Sequence, residues 1–181
     1  MRIISGKYKG RVLEGFNIEG TRPTMDRVKE SFIASIQLKL KNSVILDLFA
    51  GSGSVGFEMI SNGASEGYFV DTNKIVIDTL NKNIKKINPS EKITILKKDF
   101  KDALKYFYDN NIKFDIIFLD PPYKLNYVNP ALELIEKYNL LNKDGIIICE
   151  VENEVVNNLS FEITKEKKYG SKNVIFLKNN G

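Results

Sequence analysis

From Val44 onward the chain alternates between short apolar runs of strand length and stretches whose apolar residues recur every three or four positions. The runs predict buried strands at Val44 to Leu48, Tyr68 to Val70, Ile93 to Leu96, Phe114 to Leu119 and Ile146 to Cys149. Between them the helical period predicts helices at Ser54 to Asn62, Asn73 to Ile87, Lys101 to Asn110 and Pro130 to Tyr138. In the second of these, Val76, Leu80, Ile84 and Ile87 share one face. Buried strands joined by helices require a parallel sheet covered on both faces. Phe161 to Lys168 and Val174 to Leu177, joined through Gly170, predict a closing antiparallel hairpin. The expected architecture is α/β and Rossmann-like: a mostly parallel seven-stranded sheet with helices on both faces.

The first 42 residues follow a different pattern. Arg2-Ile3-Ile4 and Arg11-Val12-Leu13 flank the turn glycines Gly6 and Gly10, which predicts a short β-hairpin. After a looser segment to Pro23, Thr24 can cap a helix running from Met25 to about Leu40, whose stripe is Val28, Phe32 and Ile36. The expected division is therefore an N-terminal hairpin-and-helix extension over residues 1–42, packed on the core, and a main domain over 43–181.

Composition narrows the chemistry. With 181 residues, 43% of them hydrophobic and 28% charged, the chain suits one ordinary globular unit. No apolar run approaches a membrane span, Met1-Arg2 leads into no signal-peptide core, and the single cysteine, Cys149, agrees with a reducing compartment, so a cytoplasmic location without membrane contact is expected. There is no histidine, which excludes imidazole bases and His-ligated metals, and no metal is expected. The net charge of +4 is concentrated at the start, where Arg2, Lys7, Lys9 and Arg11 stand with no acid. All four arginines, Arg2, Arg11, Arg22 and Arg27, fall within the first 27 positions. Guanidinium forks suit bidentate phosphate contacts. These residues predict an anion-facing surface, the plainer alternative being a solvated basic hairpin.

The first strand runs into Asp47-Leu48-Phe49-Ala50-Gly51-Ser52-Gly53-Ser54-Val55-Gly56, a G-x-G-x-x-G turn between strand and helix, and Asp71 ends the next strand where a ribose-binding acid belongs. Such a loop alone suits a nicotinamide dinucleotide as well as S-adenosylmethionine. Asp47 separates them, because it would repel a pyrophosphate and attract an ammonium and a sulfonium. Ala50, Gly51, Ser52 and Gly53 are expected to hold the methionine carboxylate through loop amides, and Asp71 the ribose. Asp99 and Phe100 are expected at the adenine, although Asp99 also suits a helix N-cap.

Asp120-Pro121-Pro122-Tyr123 closes a strongly apolar fourth strand, Phe114 to Leu119. Two prolines fix φ and remove two N–H donors, leaving carbonyl acceptors in a stiff frame. An exocyclic amine of a nucleobase needs such acceptors, since its lone pair is delocalised until the nitrogen is turned toward tetrahedral geometry. Asp120 and the Pro121 carbonyl can accept its two N–H groups, and Tyr123 can stack on the base. A rigid turn with a packed Tyr is the alternative.

The chain resembles the RsmD-type 16S ribosomal RNA guanine-N2 methyltransferases of bacteria over nearly its whole length. The resemblance rests on Arg2-Ile3-Ile4-Ser5-Gly6 with Gly10-Arg11, on Arg22-Pro23-Thr24 with Asp26-Arg27-Val28 and Glu30, on Leu48-Phe49-Ala50-Gly51-Ser52-Gly53, and on Asp120-Pro121-Pro122-Tyr123. Tyr123 stands where some members carry Phe, and either ring stacks. The resemblance implies a class I S-adenosylmethionine-dependent methyltransferase fold, with Thr24 near the donor's methionine end and Arg22 or Arg27 at the RNA backbone. It further implies a 16S rRNA or small-subunit particle as partner, and a monomer is expected. Two other functions remain open at this point: a DNA adenine-N6 methyltransferase, against which the lack of room for a target-reading domain speaks, and a non-catalytic RNA-binding protein. Whether the lysine-rich stretch from Lys165 to Lys172 touches RNA is likewise open.

Overall fold

In the computed structural model, which describes residues 1–16, 26–122, 124–157 and 160–179, the alternation becomes a seven-stranded sheet of order β3-β2-β1-β4-β5-β7-β6. The strands are β1 (Val44–Asp47), β2 (Glu66–Asp71), β3 (Lys92–Lys97), β4 (Phe114–Leu119), β5 (Leu141–Val151), β6 (Phe161–Tyr169) and β7 (Lys172–Asn179). The first five run parallel, and β7 lies antiparallel to both β5 and β6. The helices are α1 (Asp26–Ser35), α2 (Gln37–Leu40), α3 (Ser54–Ser61), α4 (Lys74–Ile87), α5 (Phe100–Asp109) and α6 (Val128–Lys137).

Because side chains alternate across a strand, the sheet has two cores. Ile45, Phe69, Phe118, Ile148 and Phe176 pack with Phe32 of α1, Phe57 of α3 and Leu80 of α4. Their neighbours Leu46, Tyr68, Ile117, Leu119 and Ile147 pack with Leu104 and Phe107 of α5 and Leu132 of α6. Cys149 lies in the second core, where burial pushes its thiol well up. The expected Rossmann-like α/β sheet, mostly parallel with helices on both faces, is the one found.

Three differences from the sequence expectation have physical causes. The helix expected to run unbroken to Leu40 breaks at Ile36 (φ −111°, ψ 11°), whose N–H is shared between the Phe32 and Ile33 carbonyls. Leu40 still reaches the core after the break. Helix α6 begins two residues before Pro130, because the Glu154 carboxylate accepts the Val128 and Asn129 N–H groups at 3.1 and 2.8 Å. Pro130 then falls in the first turn, where its missing N–H costs nothing. Strand β5 is far longer than Ile146 to Cys149: its polar Asn142–Asp144 segment bulges, with Asp144 at φ +65° and the pairing with β4 shifted, but stays in the strand.

The N-terminal residues form a tight loop more than a ribbon. A single antiparallel bridge joins Arg2 and Val12, supported by hydrogen bonds from Ile3 N to Arg11 O and from Leu13 N to Met1 O. Ile3, Tyr8 and Leu13 enter the same core as Ile45 and Phe57. One buried carboxylate fastens the loop: Glu58 of α3 accepts the Ile4 and Ser5 N–H groups at 3.0 Å each and the Ser5 hydroxyl at 2.9 Å. Lys29 of α1 reaches the same carboxylate at 3.1 Å, with both side chains almost wholly buried, and donates to Ser54 Oγ at 2.9 Å. Neither partner was singled out by sequence reasoning.

Candidate functional site

The strand order reverses between β1 and β4, which leaves a crevice at the carboxyl ends of the strands, the usual ligand position in such sheets. A cleft of about 750 Å³ occupies it. The cleft wall brings together Asp47, Ala50, Gly51, Ser52, Asp71, Asp99, Phe100, Asp120 and Pro121 from the sequence expectation. Thr24, Arg22 and Tyr123 lie outside the described residues.

The glycine loop is shaped by close approach. Gly53 caps α3 at φ +83°, and a Cβ there would come within 2.5 Å of the Phe57 ring and 2.8 Å of Leu80. A Cβ on Gly56 would meet the Phe69 ring at 2.5 Å. Gly56 thus lets α3 lie directly against β2, and Gly53 leaves room for Phe57 of α3 and Leu80 of α4 beneath the loop. The loop is tied to the end of β2, with Ala50 N–H donating to the Val70 carbonyl and Gly51 N–H to Asp71 Oδ2 at 3.2 Å. Ser52 is nearly buried, and its carbonyl accepts from Asn83 Nδ2 at 3.0 Å.

Asp47 is the most unusual group in the cleft. It is 1% exposed, its Oδ2 accepts the Gly56 N–H at 3.2 Å, and its Oδ1 is buried without a hydrogen-bond partner. Burial pushes its carboxyl up to about 7; the Gly56 N–H opposes the shift and the neighbouring charge of Asp71 adds to it. A buried acceptor without a donor is costly, so this oxygen favours a cationic ligand. Asp71 uses one oxygen for Gly51 and the other for Asn73 N–H at 3.2 Å, which leaves further lone pairs on each.

Asp99 caps α5 through Oδ1, 2.9 Å from Lys101 N, and is otherwise exposed. The plainer N-cap role is thus real, and it leaves Oδ2 for a ligand. Phe100 is buried beside Phe49 and Tyr127, with centroids 5.5 and 4.9 Å away, so the cleft has an aromatic wall here. Phe49 and Tyr127 were not foreseen. Phe49 stood inside the glycine motif, but Tyr127 carried no signal before α6 was placed.

Across the cleft, Asp120 and Pro121 follow the end of β4 and are half-buried. Sequence reasoning missed Glu150 at the end of β5 and Lys172 at the start of β7, which form an ion pair of 2.8 Å on the same wall.

Arg2, Lys9, Arg11 and Arg27 are exposed, as a contact surface requires. Lys7 is exposed too, but its ammonium is engaged by Glu91 at 3.1 Å and Ser90 at 2.6 Å. Among the described residues no helix is long and apolar enough to cross a membrane.

The family model described as conserved hypothetical protein 95 matches residues 1–178. The chain is 37% identical to the Bacillus subtilis protein YlbH over the full length of both. It is 36% identical to the ribosomal RNA small subunit methyltransferase D of Haemophilus influenzae, covering 94% of this chain and 89% of that one. Among solved structures, the Haemophilus influenzae protein HI0767 superposes with a TM-score of 0.79 at 31% identity, over 98% of this chain and 97% of the other. An O-methyltransferase from Bacillus cereus, solved in complex with SAH, shares the fold at a TM-score of 0.68 and 14% identity, over 86% and 82% of the two chains.

Proposed function

The chain belongs to the conserved hypothetical protein 95 family, that of the RsmD-type ribosomal RNA methyltransferases, and from that premise we propose that it methylates the exocyclic N2 of a guanine in 16S rRNA. S-adenosylmethionine is the methyl donor, the substrate is 16S rRNA within a small-subunit particle, and the enzyme works as a cytoplasmic monomer. The observation that carries the reading is one cleft lined at one end by the buried, unpartnered Asp47 Oδ1 and at the other by the Asp120-Pro121 acceptors.

The residues present fit the donor. Asp47 Oδ1 supplies the acceptor that an amino-acid ammonium needs, and the loop of Ala50, Gly51, Ser52 and Gly53 at the start of α3 suits its carboxylate. Asp71 has lone pairs left for ribose hydroxyls, Asp99 Oδ2 for an adenine amine, and Phe100 with Phe49 an apolar wall for the ring. When bound, the donor supplies an electrophilic methyl group on a sulfonium. The chain does the rest by positioning. Asp120 and the Pro121 carbonyl accept the two N–H groups of the base, drawing the nitrogen toward tetrahedral geometry so that its lone pair leaves conjugation with the ring and points toward the donor end of the cleft. Pro121 and Pro122 keep the acceptors stiff. Once the nitrogen carries four bonds it sheds a proton, and Asp120 is a chain group able to take it. Tyr123 stacks on the base and offsets part of the cost of unstacking it. The family resemblance assigns Thr24 to the donor's methionine end, and Arg2, Lys9, Arg11, Arg22 and Arg27, joined by Lys7 when it exchanges Glu91 for a phosphate, hold the RNA backbone.

Incubation with labelled donor and, separately, small-subunit particles, free 16S rRNA and plasmid DNA tests this reading. Label recovered as N2-methylguanosine from the particles is the expected result. Label confined to the DNA, or heat of donor binding with no transfer to any substrate, would overturn it.

A further inference from the structure

The ion pair Glu150–Lys172 has no part in the chemistry described so far, yet it stands on the cleft wall beside Asp120. The sheet fixes its place. Leu119 pairs with Cys149 in parallel register, so Asp120 and Glu150 leave the ends of adjacent strands at the same level. Glu150 pairs with Val174 across the antiparallel β5–β7 junction, and Lys172, two residues before Val174, lies on the same face and turns back to Glu150 Oε1 at 2.8 Å. Neighbouring strands are about 4.8 Å apart. Crossing from β4 through β5 to β7, the strand ends therefore present a carboxylate, a second carboxylate and an ammonium in that order.

Stability does not explain this choice. The Glu150 side chain is 1% exposed and that of Lys172 22%, and desolvating such a pair roughly cancels its attraction, so apolar residues would hold the sheet as well. Ligand chemistry does explain it. The pairing edge of guanine reads, in order, N2 with two donated protons, N1 with one, and O6 as acceptor. Adenine places an acceptor at N1, which a carboxylate repels.

We propose that Glu150 and Lys172 are the specificity-determining pair for the base, Glu150 accepting the guanine N1–H and Lys172 donating to O6, while Asp120 and Pro121 hold the N2 amine. The assignment rests on the guanine-N2 function proposed above. A carboxylate offers about four acceptor positions and an ammonium three donors, so the bond between Glu150 and Lys172 does not by itself exhaust either group. The charge of Asp120 reinforces that of Glu150 in holding the proton on Lys172, against the opposing effect of its partial burial.

The probe is 2-aminopurine, which keeps the N2 amine but lacks O6 and carries an acceptor at N1. Small-subunit particles are reconstituted with guanine or 2-aminopurine at the mapped target position. The wild-type enzyme is expected to lose at least about 100-fold in kcat/KM on the 2-aminopurine particle, since unmatched buried polar groups discriminate strongly. Glu150→Gln, whose amide can donate to N1, should narrow that ratio at least about tenfold with donor affinity unchanged by calorimetry. Equal wild-type rates on the two particles, or a Glu150→Gln enzyme that folds and keeps the wild-type ratio, would overturn the assignment. Should Glu150→Gln not fold, the wild-type ratio decides together with Lys172→Met, which should cost activity on guanine but little on 2-aminopurine. Failure of the wild type to methylate the guanine particle is a separate outcome and overturns the guanine-N2 function itself.

Discussion

The two ends of the cleft are built by opposite means. At the glycine end, Asp47 runs directly into the loop from Ala50 to Gly53, Asp71 ends the next strand, and backbone shape does most of the work: Gly56 lets α3 press on β2, Gly53 makes room for Phe57 and Leu80, and loop amides tie the loop to the end of β2. At the other end, Asp120, Glu150 and Lys172 stand singly at the ends of three strands, with no shared loop, and are brought level only by sheet order and register. A site built from local backbone is legible as a motif. A site built from strand order becomes visible once the topology is known.

Perturbations should therefore separate the two ends. The largest effect is expected from Lys29→Met, which strands the buried Glu58 charge beneath the glycine end and should cost about 3 to 5 kcal/mol of stability, read from urea unfolding. A loss under about 1 kcal/mol would mean that the Ile4 and Ser5 amides suffice for Glu58. Next comes Asp120→Ala, expected to lower kcat by about 100-fold or more while donor affinity stays within about twofold. A matching loss of donor affinity would erase the proposed division between the ends.

A third effect is set by pH. Asp47 titrates near 7 in the folded protein, above its ordinary 3.8, so its ionised form costs stability. Donor-free protein should gain stability as pH falls through about 7 toward 4, because in that window the folded state holds a proton that the unfolded chain has lost. Donor affinity should run the other way, weakening about tenfold per pH unit below 7, since a protonated carboxyl no longer attracts an ammonium. Thermal melts and titration calorimetry across that range check both, and Asp47→Asn should flatten both curves. The smallest effect is outside the cleft: replacing Arg2 and Arg11 with Ser should weaken RNA association and reduce its salt slope by about two units. An unchanged slope would make these arginines a solvated surface.

Most of the sheet was legible because its strands are buried on both faces and its helices are amphipathic, as in α4 with Val76, Leu80 and Ile87 buried. The errors came where distant side chains decided local structure. Glu154 starts α6 before Pro130, and the pairing of the flanking Leu141 and Ile146 with β4 keeps the polar Asn142–Asp144 bulge within β5. Asp47, Asp71 and Asp120 were found from type and position. Glu150 was hidden within an apolar run, and Lys172 among the lysines near the final turn, because nothing local distinguishes them.

The Glu58 contacts also have an order in time. The amides of Ile4 and Ser5 wait for a carboxylate 54 and 53 positions later, and Tyr8 for Glu91, 83 positions on. During synthesis, with the N-terminal part emerging first at roughly 5 to 20 residues per second, the opening loop spends several seconds without its partners. The loop thus settles later than its place in the chain suggests, and the face that carries Arg2 and Arg11 takes form only after α3 and Glu91 have been delivered.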